Sequence, residues 1–196
     1  MPTTRTATAA DLDAMRAFER EFVGHDVSPE TFSERFDQYP ELFVLVEATG
    51  DSYGSGGELL GAASGYADGP AVDDDTVVLA AIGVRNGHEG NGLGRALLEA
   101  FEAGAREYGD AVSVAAADNV VGFYRACGYE PSCILVQVPE TDLPADYASH
   151  GDLVDERSAD GTRFLYYDFD EYHPSLRDGL ANRLGGTANT ILGKEL

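Results

Sequence analysis

Residues 76–84, Thr-Val-Val-Leu-Ala-Ala-Ile-Gly-Val, form a near-continuous apolar run with β-branched residues at its start, and they predict a buried strand. At Leu93 the period changes. Leu93, Ala96, Leu97, Ala100, Phe101, Gly104, Ala105 and Tyr108 recur at i, i+3, i+4 and i+7, so one face of a helix is apolar. Gly109 stands just past them, where a C-terminal cap is expected. Upstream, residues 3–8 alternate as a short edge strand does. Residues 10–22 read as a helix with Leu12, Met15, Phe18, Glu19 and Phe22 near one face. Ser28-Pro29-Glu30-Thr31 has the form of a helix start with proline in first position, and Phe32 and Phe36 add an i, i+4 apolar pair. Residues 42–48 and 59–67 read as strands, joined by a Gly/Ser/Asp-rich hairpin connection at 49–58. An acidic turn at 68–75 leads into the central strand.

Downstream, residues 111–116 predict a short apolar strand, and Asp118 is placed as an N-cap. Val120, Phe123, Tyr124 and Cys127 then follow helical spacing until Gly128, with Phe123 expected in the core. Residues 129–138 read as a strand and 139–152 as a long loop. Residues 153–158 and 162–170 flank Asp160-Gly161, a hairpin turn signal, and 163–169 are expected to pair with 129–138. A short helix is expected at 175–184 after Pro174, and residues 185–196 carry no specific signal.

Charge narrows the partners. Thirty-five acidic residues face 12 arginines and one lysine, a formal net charge of −22. Nucleic acid is disfavoured, because phosphate contacts need a basic face. Near-absence of lysine with arginine retained reads as a salt-adapted acidic surface, whose self-repulsion molar salt screens, rather than as a site for cations. No run approaches 18 uncharged apolar residues and the N-terminus lacks the apolar core of a secretory signal, so a cytoplasmic protein with no membrane association is expected. Cys127 and Cys133 read as reduced thiols, and the scattered His25, His88, His150 and His173 predict no metal site.

The segment between the central strand and its helix carries the candidate chemistry. Gly90, Gly92 and Gly94 clear side chains from a helix N-terminus, where unpaired N–H groups and the dipole favour an anion such as a pyrophosphate. The alternative is a tight turn that uses glycine only for geometry. A P-loop is excluded, because Lys194 is the only lysine. A G-x-G-x-x-G fingerprint is excluded as well: from Gly90 its last position is Arg95, and from Gly92 it is Leu97.

Val84 through Leu98 resembles the acyl-CoA-binding motif of the GNAT N-acetyltransferases, a strand ending in Val and then Arg/Gln-x-x-Gly-x-Gly/Ala opening a long helix. The match is Glu89-Gly90-Asn91-Gly92-Leu93-Gly94, followed by Arg95. Glu89 departs from the family's Arg or Gln, and its charge repels a pyrophosphate unless it points away or high salt screens it. Residues 119–129, from Asn119 through Phe123-Tyr124 to Gly128-Tyr129, are similar to the family's second signature, Asn…Phe-Tyr-x-x-x-Gly-Phe. Both motifs stand in the family's order and separation, and the charge marks a haloarchaeal-like member.

The resemblance implies an α/β GNAT fold, a mixed, mostly antiparallel sheet of about seven strands flanked by helices. It implies a single domain over 1–196, with its core at 3–138 and an extension at 139–196. It implies acetyl-CoA as co-substrate, no metal, and a primary amine on a small molecule or peptide as acceptor, attacked directly without a covalent intermediate. The backbone of Ile82 and Val84 would hold pantetheine and polarise the thioester carbonyl. Gly83 would mark a bulge or a close backbone approach, or a simple strand irregularity. Asn119 would bind the CoA arm, or else make capping bonds. Tyr124 would be the general acid, or else a core aromatic. The helix–loop–helix near the N-terminus would form one wall of the acceptor site, with His25, Asp26, Glu30 and Tyr39 as candidate wall residues or ordinary surface positions. No general base is assigned; Glu47, Asp68 and Asp118 are the open choices. A homodimer through the C-terminal strand and helix is compatible with the pattern. The rival reading is an acyl-CoA-binding sensor or interaction module with this fold and no turnover.

Overall fold

A computed structural model describes residues 2–48, 57–68 and 75–196. Most of the two connections expected at 49–58 and 68–75 therefore lies outside the described residues. The chain forms two compact units, Met1–Val112 with Glu195–Leu196, and Ser113–Lys194. The described residues include nine strands, against the seven or so expected, and every ladder described below is antiparallel.

The first unit opens with β1 (Thr3–Thr6) and a 3₁₀ turn (Ala9–Asp11) that runs into α1 (Leu12–Phe18). A π-helical turn, Glu19–Val23, extends α1 and stops at Gly24, whose φ is 77°. Then come α2 (Pro29–Gln38), β2 (Val44–Glu47), β3 (Leu59–Tyr66), β4 (Thr76–Val84) and α3 (Leu93–Ala105). Ser28 caps α2 by accepting the Thr31 N–H at 3.1 Å, as the Ser-Pro pattern predicts. The four strands pair in sequence order, with β1 at the edge.

Two glycines show which helix covers which face. Gly61 pairs with Val84 and Ala62 with Gly83, so the pleat points Gly61 and Gly83 to opposite faces. A Cβ on Gly61 would stand 2.8 Å from Leu97 of α3, and one on Gly83 would stand 2.6 Å from Val23. Thus α3 lies on one face, and α1 with its π turn on the other. Leu97, Leu98 and Phe101 from α3, and Met15 and Phe18 from α1, are buried there. Each such side chain contributes roughly 1.5–3 kcal/mol.

The irregularity in the central strand is not at Gly83. Ser64 pairs with Ala81 and Gly65 with Leu79, so Ala80 is the extra residue of a bulge. Gly83 sits in regular register, and the approach of Val23 is what requires its missing side chain. Gly109 likewise does not cap α3 through a left-handed backbone; a Cβ there would lie 2.8 Å from the Asp75 carbonyl carbon.

The second unit holds most of β5 (Ala111–Ala116), then α4 (Asp118–Ala126), β6 (Glu130–Pro139), β7 (Asp152–Ala159), β8 (Thr162–Asp168), α5 (Pro174–Leu184) and most of β9 (Thr187–Glu195). Its strand order is β5-β9-β6-β8-β7. Asp160 and Gly161 take φ values of 50° and 72°, the left-handed pair that a tight hairpin needs. β8 pairs with β6 as expected. Residues 139–152 hold two short 3₁₀ turns, Glu140–Asp142 and Tyr147–Ser149. Residues 187–195 carried no signal yet form a strand against β6, in which Thr190 is fully buried and its hydroxyl donates to the Tyr172 hydroxyl at 3.1 Å. Asp118 is not the N-cap of α4. Ala117 holds that position, and Asp118 is the first helical residue.

Candidate active site

In the first unit, β4 ends in Ile82, Gly83 and Val84, all half-buried. Arg85 anchors the turn that follows. Its backbone N–H donates to the Leu60 carbonyl at 2.8 Å, its Nε donates to the Leu59 carbonyl at 3.0 Å, and Glu58 lies 3.4 Å away. The backbone then passes through three left-handed glycines: Gly87 (φ 85°), Gly90 (φ 74°) and Gly92 (φ 82°). Gly92 is the N-cap of α3 and supplies no side-chain cap. Leu93, Gly94 and Arg95 are the first three residues of that helix, so their N–H groups precede the first intrahelical bond, Ala96 N–H to the Gly92 carbonyl at 3.0 Å. Among the described residues, no heavy atom beyond the adjoining residues lies within 4 Å of where a Cβ would stand on Gly90 or Gly92. The loop therefore offers open space in front of an uncapped helix start, which fits the phosphates of CoA.

Glu89 turns back on the loop. Its carboxylate accepts the Gly87 N–H at 2.6 Å. The acidic group thus has a partner in its own turn, and that N–H is taken from any other anion. Asn91 donates to the His88 carbonyl at 3.2 Å and the Glu89 carbonyl at 3.4 Å, which braces the loop.

In the second unit, α4 carries Asn119, exposed, and Tyr124, only 4 % exposed. Tyr124 and Val121 are the buried residues of this helix, whereas Phe123, expected in the core, is half-buried. The Tyr124 ring packs edge-on against Phe123 at 5.2 Å and Tyr129 at 5.6 Å. Burial raises the Tyr124 hydroxyl well above its ordinary value, and Cys127 one turn on adds to the rise.

The three carboxylates left open as bases all have partners. Glu47 pairs with Arg5 at 2.7 Å, Asp68 accepts from Gln38 at 3.2 Å, and Asp118 pairs with Arg177 at 3.1 Å. Sequence reading missed Glu19, whose side chain is 1 % exposed and bonds to His25. The available signal was a carboxylate among Leu12, Met15, Phe18 and Phe22 on an apolar helix face. Among the described residues, no group of three or more His, Cys, Asp or Glu could hold a metal ion, and no helix is long and apolar enough to cross a membrane.

The chain belongs to the acetyltransferase (GNAT) family, whose model matches residues 12–129. No curated protein matches the sequence. Among solved structures, the chain is similar to Ard1 from Thermoplasma volcanium, at 12 % identity and a TM-score of 0.61, over 100 % of this chain and 97 % of that one. It is similar to Arabidopsis thaliana Naa50 in complex with the bisubstrate analogue CoA-Ac-MVNAL, at 10 % identity and a TM-score of 0.58, over 100 % and 99 %. It is also similar to the ribosomal-protein-S18-alanine N-acetyltransferase of Escherichia coli, at 18 % identity and a TM-score of 0.53, over 89 % and 97 %. At these identities the likeness establishes the GNAT fold alone.

Proposed function

We propose that the protein is an N-acetyltransferase that moves an acetyl group from acetyl-CoA to a primary amine by direct attack, in a salt-adapted setting. The observation that carries this reading is the start of α3, where Gly90 and Gly92 are left-handed, uncapped and open in front. Acetyl-CoA supplies a thioester whose carbonyl carbon the amine attacks. The N–H groups at the start of α3 hold its phosphates. Backbone groups of Ile82 and Val84 hold the pantetheine arm and polarise the carbonyl, and Gly83 lies between them on the strand. Asn119 steadies the CoA arm, and Tyr124 donates a proton to the departing sulfur. The rival, a CoA-binding module without turnover, draws on β4, which has no carboxylate or histidine.

The first test is thermal unfolding in molar potassium chloride with acetyl-CoA at about 100 times its dissociation constant, which is expected to add roughly 2.7 kcal/mol. ATP and NAD are expected to add nothing. Release of free CoA thiol is then followed with a panel of amines: a peptide with a free N-terminus, an amino acid, a small alkylamine and an aminoglycoside. A thermal shift without thiol release supports the rival, and no shift removes the donor site.

Glu89 supplies a separate prediction. In Glu89→Gln the repulsion of phosphate is gone while the hydrogen bond to Gly87 is kept. Acetyl-CoA is expected to bind about threefold tighter than to the wild type at 0.1 M salt, and equally in molar salt, where the screening length is only about 3 Å. Titration calorimetry at both salt concentrations reads the difference. Equal affinities at 0.1 M would mean that the Glu89 charge does not reach the bound phosphates.

A further inference from the structure

Glu19 is a carboxylate in an apolar place. Its side chain is 1 % exposed and lies in the π-helical turn Glu19–Val23. Its Oε2 stands 3.0 Å from His25 Nδ1, while its Oε1 is buried and has no hydrogen-bond partner among the described residues. Burying a carboxylate is costly, and leaving one of its oxygens unsatisfied adds to the cost. A pair that served only to tie two segments together would gain by satisfying both oxygens.

The backbone is built to bring these two side chains together. The Glu19 carbonyl accepts the N–H of Gly24 and also that of His25, the latter at 3.2 Å. Gly24 reverses the chain in the left-handed region, so residue 25 folds back over residue 19. The same turn covers the end of the central strand. Val23 and Phe18 stand 2.6 and 3.6 Å from the position a Gly83 Cβ would take, and the Arg85 guanidinium lies 5.0 Å from the Phe22 ring centroid. The neighbouring cations have other partners. Arg16 lies 3.9 Å from Asp26 and donates to the Val27 carbonyl at 3.4 Å, and Arg85 is held by Glu58 and Leu59.

We propose that His25 is the general base of the transfer, accepting a proton from the acceptor amine at Nε2, and that Glu19 is its positioning residue. The inference rests on the acetyltransferase reading above, which puts the thioester at the end of β4. The Glu19 carboxylate keeps the His25 proton on Nδ1, which leaves the Nε2 lone pair to act as base, and its buried charge compensates the imidazolium that forms. The His25 side chain is 26 % exposed and reaches solvent, whereas Glu19 does not. The protons balance. An ammonium acceptor gives one proton to His25, which passes it to solvent. The neutral nitrogen forms the C–N bond to the acetyl carbon as the C–S bond breaks. The second proton lost by nitrogen replaces the one that Tyr124 delivers to sulfur, so the products are the amide, the CoA thiol and one proton.

The test measures thiol release with the amine from the panel that the wild type turns over fastest, alongside thermal unfolding with and without acetyl-CoA. His25→Ala is expected to lower kcat by about 100-fold or more, within the usual range for a general base, with the acetyl-CoA stabilisation unchanged. Added imidazole is expected to restore the His25→Ala rate by about tenfold or more and to leave the wild type unaffected, which loss of a structural contact would not show. Glu19→Gln is expected to lower kcat by about tenfold or more with KM unchanged. If His25→Ala unfolds, His25→Gln, which keeps a polar group against Glu19, takes its place with the same expected loss. A His25 variant within about threefold of wild type, or a loss of rate that imidazole does not repair, overturns the assignment of His25 while the acetyltransferase reading stands. A wild type that releases no thiol with any amine overturns that reading, and this inference with it.

Discussion

Replacing Tyr124 with phenylalanine is expected to lower kcat by about 100-fold or more while the stabilisation by acetyl-CoA stays at its wild-type size. The substitution removes one oxygen and keeps the ring. That ring is 4 % exposed and wedged against Phe123 and Tyr129, so packing is preserved and the folded state should hold. Burial, with a smaller contribution from Cys127, raises the hydroxyl above its ordinary value. The sign matters for the role. A tyrosine titrating above its usual value of about 10 remains protonated at neutral and moderately alkaline pH, so it holds a proton when sulfur departs and cannot be the base that activates the amine. The wild-type rate should accordingly show no loss attributable to this residue below a pH of about 10. Thiol release and thermal unfolding, run on both proteins, separate the outcomes. Equal rates would remove the acid role, and a loss of acetyl-CoA stabilisation would make Tyr124 a binding residue.

The second large effect concerns folding. Gly104→Ala is expected to destabilise the protein by about 2 kcal/mol or more, although alanine is the better helix former by about 1 kcal/mol. A Cβ on Gly104 would press on the Glu41 carbonyl oxygen, well inside van der Waals contact, and would stand 2.9 Å from the carbonyl carbon. Neither atom can rotate away, because both are backbone. Glu41 is also tied to this helix end by its side chain, which accepts the Tyr108 hydroxyl. Alanine at residue 104 must therefore push apart the end of α3 and the turn Pro40–Leu42. Gly122→Ala is the matched control. It too lies inside a helix, and among the described residues nothing outside its own stretch of helix stands within 4 Å of its Cβ position. There the propensity term acts alone, and alanine is expected to stabilise by about 0.5–1 kcal/mol. At about 2–4 °C per kcal/mol for a chain of this length, thermal unfolding should show shifts of opposite sign. A Gly104→Ala protein as stable as the wild type would mean that α3 and the turn can separate at little cost.

Strong local patterns were legible along the chain. The apolar run at 76–84 is β4 residue for residue, because one face of the strand is buried at Val77, Leu79 and Ala81 and the other is half-buried, so neither face takes charged residues. The helical stripe from Leu93 and the Asp160-Gly161 turn were equally plain, since each rests on a period or on a backbone conformation that few residues accept. The Gly90 and Gly92 backbone at the start of α3 belongs with them, as glycine is the residue that takes positive φ without strain.

What composition and period could not reach is what depends on a distant neighbour. β9 was missed because its buried positions include Thr190, a polar residue that reads as surface until the Tyr172 hydroxyl is found beside it. Gly83 and Gly104 look alike in the sequence, as small residues in ordered elements. Only packing shows that Val23 displaces one side chain and the Glu41 backbone the other. Asp118 had the chemistry of a cap, but the helix begins one residue too early for it, and Arg177 takes its charge. Glu19 and His25 stand six residues apart, a spacing that an α-helix does not bring face to face, and a π turn closed by Gly24 does so here. The sequence by itself determined the order of elements through α5, the family and the glycine backbone of the loop, all carried by near neighbours along the chain. Tertiary structure alone decided which carboxylates are engaged and which one is buried beside a histidine, because burial and pairing belong to contacts that the chain makes only when folded.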